Sequence, residues 1–235
     1  MFNKFTKKGI LITLSIAIFL FSFGFLLSFI VKQEAVASPY KLTIVLDAGH
    51  GGIDSGSVGS TTNVVESDLN LTYVNKLEKL LKSVGINVVK TRSTLDGLSD
   101  PGSKNFKKED MQKRREIIQN SNAQAVISVH MNKFSLKSEN GAQVFYQSGD
   151  EVSKVFAETI KDELVKKIDN ARQLTIAGDY FICKCDVIPS IIVECGFLSN
   201  EKEELLLQDS SYQDKLCYSI FCGIMKYFNI TTNQY

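Results

Sequence analysis

The chain has no tryptophan, only three prolines and only two histidines among its 235 residues. Its 27 basic and 26 acidic side chains nearly cancel, so it lacks the charge excess that is typical of disordered or nucleic-acid-binding chains. It has five cysteines but no Cys-x-x-Cys motif, and its two closely spaced cysteine pairs have poor disulfide geometry on a strand or a helix. We therefore expect a globular protein with free thiols and no cysteine-based zinc site.

Hydrophobic residues are concentrated near the N-terminus. Residues 9–31 carry no charged side chain and follow three lysines, a pattern that predicts a membrane-spanning segment with a cytoplasmic N-terminus. The Ala-Val-Ala sequence at 35–37 resembles a cleavage site, so residues 1–37 are either a signal peptide or a retained membrane anchor. In both cases the remainder is extracytoplasmic, exported across or anchored in the cytoplasmic membrane.

The rest of the chain is slightly acidic. Residues 1–37 contain four lysines and one glutamate, which leaves 23 basic and 25 acidic side chains, a net charge of −2. Without a basic cluster, nucleic-acid binding is not expected. The remaining length suits one hydrophobic core, and we predict a single catalytic domain over residues 41–230.

Apolar strand-like runs alternate with helical periods along this domain. The predicted strands lie at 42–46, 86–89, 125–129, 143–146, 180–183 and 190–193. The predicted helices are one capped by Ser67 and closed by Gly85, and three more near 109–121, 152–168 and 212–224. This alternation predicts an α/β fold: one twisted, mostly parallel sheet flanked by helices on both faces. The polar stretch 93–108 is a predicted surface loop, able to form one wall of an open substrate groove.

Both histidines directly follow a predicted buried strand, His50 in the sequence DAGHGG and His130 in SVHMN. Ligands bind at the carboxyl ends of strands in open α/β sheets, so the two imidazoles can meet at one metal ion. The alternative is two unrelated loop histidines. The glycines around His50 fit neither a P-loop nor a dinucleotide-binding motif, and we interpret them as tight loop geometry.

A catalytic zinc needs a third protein ligand, and the candidates are Asp54, Glu66 and Asp68. We choose Glu66 because it lies just before the predicted helix, at the same edge of the sheet as His50. Ser67 and Asp68 suit helix capping better.

Glu194 ends the apolar run 190–193. A carboxylate in that position is costly to bury unless it is paired or catalytic. A general base must lie close to the metal without binding it, and Glu194 fits that requirement. The alternative is a side chain that simply reaches solvent at the end of the strand.

Four sequence blocks, in order, resemble the zinc-dependent N-acetylmuramoyl-L-alanine amidases of the AmiC/LytC catalytic type. They are IVLDAGHGGIDSG at 44–56, ESDLNL at 66–71, ISVHMN at 127–132 and VECGFLSN at 193–200. The similarity extends from about residue 42 to the C-terminus, and Met131 and Cys195 replace residues that are usually small in this family.

The resemblance implies that His50, Glu66 and His130 bind one Zn²⁺ and that Glu194 is the catalytic residue. It implies hydrolysis of the amide bond between N-acetylmuramic acid and L-alanine in peptidoglycan, with a glycan strand and its stem peptide as substrate.

Ligating histidines usually donate their second N–H to an oxygen, and substrate contacts are also needed near the site. We predict that these roles fall to Asp47, Asn132 and Asn200.

Residues 96–108 also resemble the corresponding loop of the spore-cortex amidases of the CwlD type. This implies a role in muramic-δ-lactam formation in spore cortex, and hence in germination, within the forespore intermembrane space. The participation of an accessory extracytoplasmic protein stays open. The alternative functions are another zinc-dependent peptidoglycan peptidase or deacetylase, and a catalytically silent wall-binding module.

Overall fold

The computed structural model describes residues 22, 41–100, 102–184 and 188–230. The predicted signal peptide or anchor at 1–37 lies outside the described residues, apart from Ser22. No helix in the described part of the chain combines the length and the apolar character that crossing a bilayer requires.

The described residues from 41 to 230 form one α/β domain with six strands and five α-helices. The strands are β1 (Thr43–Ala48), β2 (Asn87–Lys90), β3 (Ala125–Asn132), β4 (Gln143–Gln147), β5 (Ile176–Gly178) and β6 (Ser190–Phe197). The helices are α1 (Glu66–Ser83), α2 (Phe106–Asn120), α3 (Glu151–Lys167), α4 (Glu201–Gln208) and α5 (Ser210–Tyr227). A short 3₁₀ helix spans Phe181–Cys183.

The strands form one mixed sheet in the order β2-β1-β3-β6-β4-β5. The only antiparallel pairing in this sheet of described strands is that of β4 with β6. Parallel neighbours need a long crossover, which α1 provides between β1 and β2; α2 then connects β2 to β3, which pairs with the other side of β1. The prediction of an α/β fold with a mostly parallel sheet is confirmed.

Helices cover both faces of the sheet, as the sequence predicts. Alternate residues of a strand face opposite sides, so in β1 Leu46 packs in the larger cluster with α1, α3 and α5, while Val45 packs with Ile118 of α2. In β3 the same alternation places Val126 in the cluster on the α2 side. Among the described residues, that side is covered by one α-helix, α2, and by the 3₁₀ helix, which leaves room for a site.

Three local predictions are wrong. Ser67 does not cap α1: the helix begins at Glu66 after Val65, without a side-chain cap, and the Ser67 N–H donates to Ser55 O. The run 180–183 is mainly a 3₁₀ turn, and the strand is β5, just before it. Helix α2 begins at Phe106, inside the predicted surface loop. Hydrogen bonds that a short local pattern does not show account for two of these differences: the Ser67 N–H is engaged by Ser55, and the loop before α2 donates from Leu98 N and Asp100 N to Asp110 and Glu109 of that helix.

Candidate metal and active site

His50 follows β1 in a turn where its backbone has a φ of 61°, a left-handed conformation that is uncommon for any residue except glycine. Its Nδ1 lies 2.8 Å from Asp54 Oδ2, and its Nε2 lies 3.2 Å from Glu66 Oε1. If Nδ1–H donates to Asp54, the Nε2 lone pair faces a carboxylate oxygen. Two electron-rich atoms at that distance need a cation or a proton between them, so the geometry favours a positive charge at this point.

His130 and Glu66 complete the group. His130 Nδ1 lies 3.0 Å from the same oxygen, Glu66 Oε1, and the two imidazole rings meet edge to face at 4.9 Å between centroids. One ligand atom from each of His50, Glu66 and His130 falls within 4.8 Å of the others. Zinc bonds of 2.0–2.2 Å place tetrahedral ligand atoms roughly 3.2–3.6 Å apart, so these donors fit a zinc ion.

The Glu66 carboxylate is buried and held from several sides. Its Oε2 accepts the backbone N–H of Ser57 at 2.7 Å, and its Oε1 accepts the Nδ2 of Asn70 at 3.4 Å. Burial raises the pKa of Glu66, but hydrogen bonds and charge from the two histidines outweigh it and leave the pKa well below its usual range. Glu66 is therefore a fixed, ionised carboxylate at neutral pH, as a metal ligand would need to be.

The same contacts have the opposite effect on the pKa of His50. Burial lowers its pKa, but the hydrogen bonds and charges of Glu66 and Asp54 outweigh burial and raise the pKa to about 9. This pocket thus attracts positive charge, which a proton or a divalent metal ion can supply.

Glu194 lies beside this group on the neighbouring strand, in register with His130 of β3 and with Gln143 of β4. Its Oε2 is buried and has no hydrogen-bond partner among the described residues. Burial raises its pKa to about 7, against an opposing effect from the charge of His130. An unpaired carboxyl group with a pKa near neutrality is suited to proton transfer at physiological pH.

The residues predicted to orient the histidines bond elsewhere. Asp47 is buried and accepts hydrogen bonds from Thr91, Ser128 and Arg114. The Asn132 Oδ1 accepts the N–H of Lys133, while Asn200 caps α4 and donates to the carbonyl of Lys137.

Asp54, a candidate ligand that was not chosen from the sequence, contacts the outer nitrogen of a ligand candidate instead: its Oδ2 lies 2.8 Å from Nδ1 of His50. The spacing of four residues within one glycine-rich turn was the signal that could have identified this contact.

Two glycines make room for the ligands. A Cβ atom on Gly49 would lie 2.1 Å from Cε1 of His130, and one on Gly56 would lie 2.6 Å from Glu66 Oε2. Real Cβ atoms do not come so close to other heavy atoms, and the ring and the carboxylate are both fixed by further contacts. The glycines around His50 therefore serve the site sterically as well as the turn.

We expect Gly49→Ala to weaken metal binding strongly, because the new methyl group must push the His130 ring away from Glu66. We expect the zinc content of the purified variant, measured by atomic emission, to fall below about one tenth of the wild-type value. The orientation of ligands alone changes zinc affinity about 10–100-fold. Gln173→Ala, at an exposed position outside the group, is the control. Normal zinc content in Gly49→Ala would show that His130 tolerates displacement.

A cavity of about 360 Å³ adjoins the two histidines on the α2 side of the sheet. Its polar part includes Asp47, Asp54 and both histidines, and its apolar wall is formed by Met111, Tyr180, Phe181, Ile182 and Ile192. Lys107, from the predicted loop 93–108, also lines the cavity, and in the structure it belongs to α2. The two histidines of the His–Glu–His group are therefore accessible from this cavity.

Comparison with known proteins identifies the family. The family described as N-acetylmuramoyl-L-alanine amidase matches residues 44–226. The chain is 32% identical over 230 residues to the germination-specific N-acetylmuramoyl-L-alanine amidase of Bacillus subtilis (strain 168), covering 96% of each protein. Among solved structures, it is similar to the CwlD amidase from Clostridioides difficile in complex with the GerS lipoprotein, with 38% identity and a TM-score of 0.77 over 81% of this chain and 100% of that chain. The catalytic domain of CwlV from Bacillus (Paenibacillus) polymyxa var. colistinus is 29% identical, with a TM-score of 0.72 over 81% of this chain and 99% of that chain.

Proposed function

This chain belongs to the N-acetylmuramoyl-L-alanine amidase family, and from that premise we propose that it is a zinc-dependent enzyme of spore-cortex peptidoglycan. Residues 41–230 are the catalytic domain in this proposal. The observation that carries it is the His50–Glu66–His130 group, with the unpaired Glu194 carboxyl group beside it. The substrate is a glycan strand with its stem peptide, and the bond that is cut joins N-acetylmuramic acid to L-alanine.

His50, Glu66 and His130 would hold the ion through Nε2, a carboxylate oxygen and Nδ1, the atoms that face one another. Zinc, when bound, supplies a Lewis acid that polarises the scissile carbonyl and makes the attacking water more acidic. Asp54 keeps the His50 ring oriented by accepting from its Nδ1–H.

Glu194 carries the proton in this proposal. Its free carboxylate accepts the proton of the attacking water, and the resulting carboxylic acid donates it to the alanine nitrogen as the carbon–nitrogen bond breaks. The products are a free lactyl carboxylate on muramic acid and a peptide with a free amino terminus. A pKa near 7 suits both directions of transfer.

The direct test is mass spectrometry of muropeptides from purified peptidoglycan, after incubation with enzyme in the presence of zinc or of a chelator. We expect zinc-dependent release of stem peptides that begin with L-alanine, together with peptide-free muramic acid. Released acetate would indicate a deacetylase, and cleavage within the peptide would indicate a peptidase. Binding to the wall without any product would indicate a silent wall-binding module.

We place the substrate in the cavity beside the histidines, where Tyr180 forms part of the wall. The Tyr180 ring packs edge-on against Phe145 at 5.8 Å between centroids and lies over Gly178, so its position is well defined. Sugar rings and peptide groups pack well on such an aromatic face.

Tyr180→Ala should therefore lower kcat/KM for peptidoglycan about tenfold, or ~1.4 kcal/mol, with unchanged zinc content, because the tyrosine touches no ligand. Tyr218→Ala, at an exposed position of α5, is the control. An unchanged kcat/KM would place the substrate on another wall of the cavity.

The spore role rests on the germination-specific relative from Bacillus subtilis and on the resemblance of residues 96–108 to the CwlD type. In this proposal the enzyme removes the peptide before muramic-δ-lactam forms, and it acts outside the cytoplasm, in the forespore intermembrane space. Spores without the gene should have cortex that lacks muramic-δ-lactam, which muropeptide analysis detects. Normal lactam content would favour a vegetative role.

The solved CwlD amidase from Clostridioides difficile is in complex with the GerS lipoprotein. We propose that this chain also binds an accessory extracytoplasmic protein, and that residues 1–37 engage the membrane.

A further inference from the structure

Two buried arginines from different parts of the chain hold the turn that carries His50. Arg92, after β2, donates from Nε to Ala48 O at 2.8 Å and from Nη2 to Gly49 O at 3.0 Å. Arg114, in α2, donates from Nη1 to Ala48 O at 2.7 Å and from Nη2 to His50 O at 2.6 Å. Three successive carbonyl groups thus accept hydrogen bonds from guanidinium groups, which fixes His50 in its left-handed conformation.

Arg92 also reaches the start of α1. Its Nη2 donates to Ser67 O at 2.7 Å, directly after the ligand candidate Glu66. One guanidinium group therefore sets the distance between the His50 turn and the first turn of the helix that carries Glu66.

Arg114 makes the corresponding link to β3. Its Nη1 donates to Asp47 Oδ1 at 2.6 Å, and Asp47 Oδ2 accepts from Ser128 Oγ at 2.5 Å. Ser128 lies two residues before His130 on the same face of the strand. Together the two arginines connect all three segments that carry the ligand candidates.

Both arginine residues are buried, with exposed fractions of 4% for Arg92 and 1% for Arg114. Arg114 pairs with Asp47 and Asp110, whereas the hydrogen bonds of Arg92 among the described residues all go to carbonyl oxygens. Burying a charge without a carboxylate partner is costly. Burial and then the charge of Arg114 lower the pKa of Arg92 to about 10. The carbonyl oxygens around Arg92 all accept hydrogen bonds from its guanidinium group, and this explains why a cation is buried at this position.

We propose that Arg92 and Arg114 are positioning residues for the zinc site, acting through the His50 turn to set the separation of the His50, Glu66 and His130 ligand atoms. They thereby determine the affinity of the chain for zinc. This inference rests on the proposed zinc-dependent function.

The test is zinc affinity, measured by competition with a chromogenic chelator on the metal-free full chain. Arg114→Lys and Arg92→Lys keep the positive charge, but a single ammonium group cannot replace a planar fork that bonds several acceptors at once. We expect each variant to bind zinc about 10–100-fold more weakly. Arg115→Lys is the matched control: it is the next residue of α2, and its guanidinium group lies over the Phe181 ring, away from the His50 turn.

Leu164→Ala distinguishes a specific effect on zinc affinity from a general loss of stability. Leu164 is a buried residue of α3, in the cluster on the other face of the sheet. Weaker zinc binding in the two arginine variants, with normal affinity in Leu164→Ala at a similar Tm, supports the proposal. Normal affinity in both arginine variants, or an equal loss in Leu164→Ala, overturns it. If Arg114→Lys does not fold, Arg92→Lys decides. A wild-type chain that binds no zinc would instead refute the proposed function.

Discussion

Replacing Glu194 with glutamine is expected to remove most amidase activity while leaving zinc binding intact. The amide has nearly the same shape as the carboxyl group but cannot accept the proton of the attacking water. Loss of a general base costs about 10²–10⁴-fold in rate. Glu194 lies outside the His50–Glu66–His130 group, so the ligand set is unchanged.

The measurement is kcat on purified peptidoglycan together with zinc content of the same preparations. Glu158→Gln is the matched control, since Glu158 is an exposed carboxylate of α3 on the far face of the sheet. Loss of zinc along with activity would make Glu194 a ligand. Retained activity would place the base at another residue.

The same substitution should stabilise the metal-free fold at alkaline pH. Burial raises the pKa of Glu194 from 4.5 to about 7, so ionisation is less favourable in the folded than in the unfolded chain. This penalty is absent below pH 4.5, grows between 4.5 and 7 and is complete above 7. Relative to the wild type, Glu194→Gln should therefore have a higher Tm at pH 8 and the same Tm at pH 4. If variant and wild type have the same Tm at pH 8 as well, the Glu194 carboxylate is solvated in the folded chain.

Replacing His130 with alanine should abolish both zinc binding and activity. Removal of the imidazole leaves His50 and Glu66, and two ligands hold zinc far less tightly than three. The loss of affinity should exceed the ~100-fold that is typical when only the partners of a ligand are changed.

Zinc titration and peptide release, measured in parallel, test this expectation. His50→Ala should behave in the same way, and Gln173→Ala, at an exposed position outside the site, should resemble the wild type. A His130→Ala enzyme that keeps full zinc affinity would exclude His130 from the ligand set. The contrast with Glu194→Gln is the sharpest test of the two roles.

Much of the fold could be predicted because burial leaves a periodic trace in the sequence. The run 125–129 is short, mostly apolar and buried throughout, as in a central strand, and Phe156, Ile160 and Leu164 recur at helical spacing, so both elements were identified correctly. His50 and His130 stood out because they are the only histidines and each comes at the end of an apolar run that predicts a buried strand. Their meeting at one point follows from strand topology, since the carboxyl ends of parallel neighbours share one edge of the sheet.

Other features depend on contacts between residues far apart in the sequence. The antiparallel pairing of β4 with β6, and the 3₁₀ turn at Phe181–Cys183, have no local pattern that distinguishes them from a parallel strand or a strand. Arg114 looks like any helix arginine in the sequence, yet it reaches His50 O across 64 positions. Hydrogen-bond partners of this kind are chosen by three-dimensional proximity, which periodicity does not encode. The sequence by itself therefore determined the α/β class and indicated the candidate site residues, whereas the tertiary structure decided which buried polar groups hold those residues in place.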